Sequence, residues 1–285
     1  MRKSLITTAV LGALAAPSFV FAADAAATPN LTVAYNVGLY SQYIFRGLTQ
    51  TDRGPAVQGG VDLTHSSGFY LGAWATNISW LRDNYGSGGP TYSSGGRVEL
   101  DLYGGYRYTF GSGLGIDLGA LQYVYPGSRD SQNFARANTT ELYGALSYGW
   151  VQAKISTVVS KGAWSIGKTP ANESSGGENA QGTYYAELNA TIPVSDLIGA
   201  KDGAASGITG IAHIARQEFN AGTANDPSSY TDYKLGLQKS FSEGALNGVN
   251  VGGYWTYANT KDIAWTYAGR NIGDSTGTVF VQKTF

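Results

Sequence analysis

From Arg97 to Phe110 the chain sorts its residues by parity. Val98, Leu100, Leu102, Gly104, Tyr106, Tyr108 and Phe110 fall on one side; Arg97, Glu99, Asp101, Tyr103, Gly105 and Arg107 fall on the other. A helical wheel would mix the two sets, whereas a strand points successive side chains to opposite faces and keeps them apart. The separation recurs in Val33, Tyr35, Val37 and Leu39 against Ala34, Asn36, Gly38 and Tyr40, and in Tyr233, Leu235 and Leu237 against Lys234, Gly236 and Gln238. Such runs place strands near 31–46, 56–65, 69–80, 97–110, 114–125, 140–149, 151–160, 182–192, 207–218, 230–241, 249–258 and 276–285. A fold built from helices is excluded.

The connections are as informative as the strands. After the second, fourth and sixth runs they are short (Ser66-Ser67-Gly68, Gly111-Ser112-Gly113, Gly149-Trp150). After the odd-numbered runs they are long and polar, as in Leu81 to Gly96 and Lys161 to Gln181. Short periplasmic turns alternating with long external loops are the rhythm of an outer-membrane barrel. Pro193 to Ser206 departs from it, being long where a short turn is expected. The expected fold is therefore all-β: a transmembrane antiparallel up-and-down β-barrel of about 12 strands. Trp74, Trp80, Tyr106, Tyr108, Tyr123, Tyr125, Tyr148, Trp150, Trp255 and Tyr257 are expected to form its interfacial girdles. The alternating last strand ends on Phe285, as a barrel sorting signal would, although Lys283 departs from the apolar residue common two places before the end.

The N-terminus fits export. Arg2 and Lys3, the apolar run Leu5 to Ala16 and, in Ser18-Phe19-Val20-Phe21-Ala22, small or compact residues at the minus-three and minus-one positions read as a secretory signal peptide over 1–22, leaving 23–285 as one barrel domain. With 19 Lys plus Arg against 20 Asp plus Glu, the net charge of −1 offers no field to recruit nucleic acid. The absence of cysteine removes thiolate metal sites, Fe–S clusters and Cys nucleophiles. His65 and His213 are the only imidazoles, little material for a triad, a two-His metal site or a His-rich tract. No cofactor, metal or catalytic site is expected. A lipid hydrolase using His65 beside Ser66 and Ser67 ranks last among the readings.

The run Tyr43-Ile44-Phe45-Arg46-Gly47-Leu48-Thr49-Gln50-Thr51-Asp52-Arg53-Gly54-Pro55-Ala56-Val57-Gln58-Gly59-Gly60 resembles the opening of a proteobacterial family of porin-like proteins, the TorF family. Glu99-Leu100-Asp101-Leu102-Tyr103-Gly104-Gly105-Tyr106, Glu141-Leu142-Tyr143-Gly144 and Tyr233-Lys234-Leu235-Gly236-Leu237 are similar to later stretches of it. The resemblance implies an outer-membrane barrel with a transport role and carries no catalytic or ligand residues with it.

The candidate site is the polar face itself: Arg46, Asp62, Arg97, Glu99, Asp101, Arg107, Asp117, Lys154, Glu187, Asp232 and Lys234. A mid-plane Arg or Lys costs roughly 2–4 kcal/mol toward lipid, so these residues are expected to point inward and line a pore. Twelve strands at ~4.8 Å spacing and ~40° tilt enclose a backbone diameter of roughly 24 Å, leaving an opening of about 10 Å after side chains. Bare positions at Gly38, Gly60, Gly105, Gly115, Gly119 and Gly236 argue for space rather than a plug. Both charge signs fall within one Debye length of ~8 Å, which predicts weak ion selectivity. The expected function is passive diffusion of small polar solutes or ions, with outer-membrane lipid as the other partner. The alternative is a structural or adhesive barrel whose external loops bind a partner without transport.

Overall fold

The computed structural model describes residues 30–83, 90–129, 134–167, 179–200, 202–220 and 227–285; the expected signal peptide lies outside them. Twelve strands close into one antiparallel barrel. They are β1 (Leu31–Tyr40), β2 (Ala56–His65), β3 (Phe69–Asn77), β4 (Val98–Thr109), β5 (Leu114–Val124) and β6 (Thr139–Tyr148). The second half comprises β7 (Val151–Val158), β8 (Tyr184–Ile192), β9 (Ile208–Glu218), β10 (Tyr230–Ser240), β11 (Val249–Ala258) and β12 (Thr276–Thr284). Each strand pairs with its neighbours in sequence, and β12 closes on β1 with Val37 opposite Lys283 and Tyr40 opposite Phe280.

Parity decides what each side chain meets. Val37, Leu39, Leu71, Leu118, Leu146 and Leu235 stand exposed on the outer wall, while Glu99, Asp101, Asp117, Glu187, Asp232 and Lys234 are buried inside it. An apolar exterior around a charged interior inverts a water-soluble domain and suits a barrel surrounded by hydrocarbon. Tyr106, Tyr108, Tyr148, Trp150, Trp255 and Tyr257 sit on the outer wall near strand ends, as expected of girdles. Trp74, Trp80, Tyr123 and Tyr125 do not: they pack inside the barrel, in an aromatic core with Tyr43 and Phe45. Tyr123 and Tyr125 share the parity of Asp117, so the alternation that turns the carboxylate inward turns these rings inward too.

The first strand stops at Tyr40, six residues short of the expected end, because the chain then enters the lumen instead of leaving the barrel. Residues 42–51 are buried throughout. This loop, L1 (residues 41–55), carries a small hairpin pairing Ile44 with Thr49 and Phe45 with Leu48. Its two-residue turn is Arg46-Gly47, with φ of 48° and 78°. Positive φ at both positions marks the turn type that matches the twist of tight hairpins. Gly47 is required twice over, since a Cβ there would also lie 2.5 Å from Asp232 Cβ on β10 and 3.0 Å from Ala258 Cβ on β11.

The inward glycines do not leave the expected space. Each is a niche for a nearby side chain: a Cβ on Gly38 would lie 2.7 Å from the ring of Tyr40 on its own strand, one on Gly60 3.1 Å from Trp74 and one on Gly236 2.6 Å from Tyr254 Cβ, both on neighbouring strands. At Gly105 it would meet the Tyr70 hydroxyl at 2.6 Å, at Gly119 the Tyr143 hydroxyl and at Gly115 the Ser147 hydroxyl. These side chains lie along the wall because the wall is bare beneath them.

Candidate functional site

The lumen divides into two levels. At the long-loop end L1 crosses it and is latched by Arg46, which is 4% exposed. The guanidinium donates to both oxygens of Glu141 at 2.9 and 2.7 Å and to Gln217 Oε1 at 2.8 Å. It also lies over the rings of Phe45, Trp164 and Tyr185 at 5.0, 4.9 and 4.2 Å from their centroids. One terminal nitrogen serves Glu141 and the other serves Gln217, so the planar fork joins two wall strands, which the single amine of lysine cannot do in the same geometry. Burial pulls against the Arg46 charge, but Glu141, aided by Tyr123 and Tyr185, more than offsets this and holds its pKa above the usual value.

A second tether lies beside the first. Tyr43 donates to Glu99 Oε1 at 2.6 Å and Tyr125 donates to Glu99 Oε2 at 2.7 Å. Burial first, then Glu99 and Asp101, raise the Tyr43 phenol well above its ordinary value, so it remains a donor. Glu99 and Asp101 are both 0% exposed. The expected 10 Å opening is therefore absent at this level. Between L1 and the loop aromatics Trp80, Trp164 and Trp265 remains a space of ≈ 30 Å³, about the volume of one water. Asp101 differs from Glu99 in one respect: neither of its carboxylate oxygens has a hydrogen-bond partner.

The deeper level carries charges of both signs on the wall itself. Lys154 faces Glu187 across β7 and β8, with Nζ 3.8 Å from Oε1. Arg107 faces Asp117 across β4 and β5 and lies 3.9 Å over the Tyr70 ring, and Tyr70 donates to Asp117 at 2.6 Å. Tyr103 donates to Asp62 at 2.7 Å, and Lys234 lies 4.8 Å over the Tyr254 ring. His213 is buried here as well: Nε2 approaches Asp232 Oδ1 at 3.1 Å and the Tyr185 hydroxyl at 3.0 Å, and Nδ1 approaches Asn189 Oδ1 at 2.6 Å. Asp62, Arg107 and Asn189 are only half-buried, so this level retains open space that the upper one lacks.

Ten of the eleven expected residues thus face the lumen. Arg97 does not. Strand β4 begins at Val98, and Arg97 is exposed at the rim, where its carbonyl accepts from Ile78 N. Arg46 reaches the interior from L1 instead of from a wall strand. The alternation did not reveal the latch partners Glu141 and Gln217 or the ring platform of Tyr185 and Trp164. Glu141 is the one with a sequence signal, a carboxylate sharing parity with Tyr143 and opposite to Leu142. His65 meets Ser67 Oγ at 2.7 Å on an exposed turn, but its Nδ1 also accepts from Ser67 N at 3.2 Å, the geometry of a turn cap. Among the described residues no cluster of His, Cys, Asp or Glu has the arrangement to hold a metal ion.

A family model matches residues 23–285 and is described as a bacterial protein of unknown function, Gcw_chp. The chain belongs to this family. No curated protein matches it. Among solved structures it is similar to the KdgM porin, at 10% identity and a TM-score of 0.46, covering 88% of this chain and 99% of that one. It is also similar to OccAB3 of Acinetobacter baumannii, at 11% identity and a TM-score of 0.42, covering 91% of this chain and 65% of that one. OccD3 (OpdP) of Pseudomonas aeruginosa matches at 9% identity and a TM-score of 0.42, covering 92% and 66%. The Gcw_chp chain thus spans about two thirds of each Occ protein.

Proposed function

We propose that this Gcw_chp protein is an outer-membrane channel for small polar solutes or ions, held shut by L1. The observation that carries the reading is that the lumen is obstructed by a loop and not by its wall. The buried latch Arg46–Glu141 spans 95 residues of sequence, and its partners remain in the barrel if the loop leaves. The charged deeper level then opens toward a long-loop mouth rimmed by Trp80, Trp164 and Trp265. The short turns face the periplasm and the long loops the exterior, by the usual rule for such barrels. The similarity of Tyr43 to Gly60 to the TorF family points the same way, since that run is L1 with the start of β2. Purified protein in liposomes of outer-membrane lipid should admit small sugars and salts slowly, and faster when L1 is shortened. Failure of the shortened, correctly folded barrel to admit any solute would refute the reading.

A second reading, a structural or adhesive barrel, is favoured by the completeness of the aromatic and ionic packing around L1. It predicts that liposomes remain impermeable with or without the loop.

A further inference from the structure

The long connection after β8 lies against the outside of the barrel. Its described residues are 193–200 and 202–207, and it opens with a helical turn, Val194–Leu197. Gly210 has the parity of the outer wall, shared with half-buried Ala212 and exposed Ile214, yet it is buried. A Cβ at Gly210 would lie 3.3 Å from Ile192 Cβ and 3.4 Å from Val194 Cγ2, so Val194 folds over the outer face of β9. Ser195 fixes the turn there: its hydroxyl accepts from Ile208 N and donates to Ala205 O, both at 2.6 Å. Lys239, which also has outer-wall parity, reaches from β10 to the carbonyls of Ala204, at 3.2 Å, and Ser206. The connection is pinned to the lipid side of two strands.

What it presents there is apolar. Leu197 is 67% exposed and Ile198 64%, with no described residue covering them. Around the rest of this rim the outer wall carries Phe69, Phe110, Trp150 and Phe285, and Lys239 and Lys283 stand 5.5 Å over the rings of Phe241 and Phe285. Lysines whose stems follow the wall while their amines cap nearby carbonyls, beside aromatic rings, mark the headgroup level. The sector of β8 and β9 has no such ring: its outer positions at this end are Ile192, Ile208 and Gly210. The turn occupies that gap.

We infer that Pro193 to Ala200 is a lipid-binding foot, with Leu197 and Ile198 seated in the acyl region of the periplasmic leaflet. The inference rests on the barrel being a membrane protein, and on nothing about what it transports. Continuity with the lipid-facing wall identifies phospholipid as the occupant, because Val194 extends that wall outward to Leu197 without an intervening charge other than Asp196. The foot supplies anchoring that an aromatic girdle supplies elsewhere.

The chain has no cysteine, so single spin labels can be placed on otherwise unmodified protein. Labels at Leu197→Cys and Ile198→Cys are compared with Leu237→Cys on the lipid-facing wall and Asp202→Cys at an exposed polar position of the same connection. The protein is reconstituted in phosphatidylethanolamine and phosphatidylglycerol vesicles. Collision with oxygen should exceed collision with a polar nickel chelate severalfold at 197 and 198, as at 237, with the reverse at 202. Labels at 197 and 198 that behave as at 202, while 237 remains in lipid, would overturn the foot alone. Exclusion of both reagents would indicate a protein partner or a second copy and would also overturn it. Polar exposure at 237 would remove the membrane reading and the foot with it.

Discussion

Replacing Arg46 with alanine removes the latch while leaving its partner behind. Glu141 is 1% exposed, and its remaining described donor would be the Tyr123 hydroxyl at 3.2 Å. Stripping one partner from a buried ion pair costs about 3–5 kcal/mol, because the other charge stays desolvated. That cost falls on the closed state alone: with L1 withdrawn, Glu141 faces lumen water and recovers hydration. At about 1.4 kcal/mol per tenfold, the closed-to-open ratio should fall by about a hundredfold to a few thousandfold. Arg46→Lys retains the charge without the fork and should fall between wild type and Arg46→Ala. Arg46→Met combined with Glu141→Leu removes both charges and should restore most of the closure, since an apolar replacement of a buried pair is often neutral or stabilising. Open probability in planar bilayers reads the series directly. An Arg46→Ala barrel that is folded, shifts on heating in a gel, and opens no more often than wild type would refute the latch.

Further predictions concern the two neighbouring carboxylates and the wall. Glu99→Gln loses the charge in two hydrogen bonds, each worth about 1.5–3 kcal/mol when charged, and should raise open probability in the same recordings. Asp101→Leu removes a buried carboxyl group without hydrogen-bond partners and should raise the urea midpoint of unfolding by the equivalent of about 1 kcal/mol or more; a lower midpoint would contradict the reading. Because both groups lie beneath L1, Glu99→Gln with Asp101→Asn should shift reversal potential toward anions only in a variant whose loop is released. Gly252→Ala places a Cβ 2.7 Å from both the Leu237 carbonyl oxygen and the Phe280 ring and should cost about 1–3 kcal/mol in urea unfolding through displacement of the ring and of the β10 backbone.

The barrel was legible because lipid and lumen impose opposite demands on adjacent residues. All twelve strands follow from parity, and most boundaries fall within two residues of the expectation, as at Phe69, Leu114 and Val151. L1 was not legible in this way. Tyr43, Ile44 and Phe45 are apolar on both parities, which in a wall strand would send one set into the lumen without cause. Inside the lumen every direction is protein, so alternation has no meaning there. The Arg46-Gly47 pair was the available signal, since a glycine flanked by apolar residues permits a hairpin turn. The inward glycines misled for a related reason. A bare position reads as space until the register places Tyr254 beside Gly236 or Tyr70 beside Gly105. Lys154 and Glu187 could be turned inward from sequence, but their pairing needed the register of β7 against β8.

The central claim is that the lumen is a solute pathway and L1 its obstruction. Single-channel current through a barrel with residues 42–54 replaced by a short Gly-Ser linker tests it most directly, with wild type recorded in the same lipid. The account predicts stable conductance steps in the shortened barrel and only rare, brief openings in wild type. A shortened barrel that keeps its heat-dependent gel shift and its strand content, yet passes no more current than wild type, would contradict it.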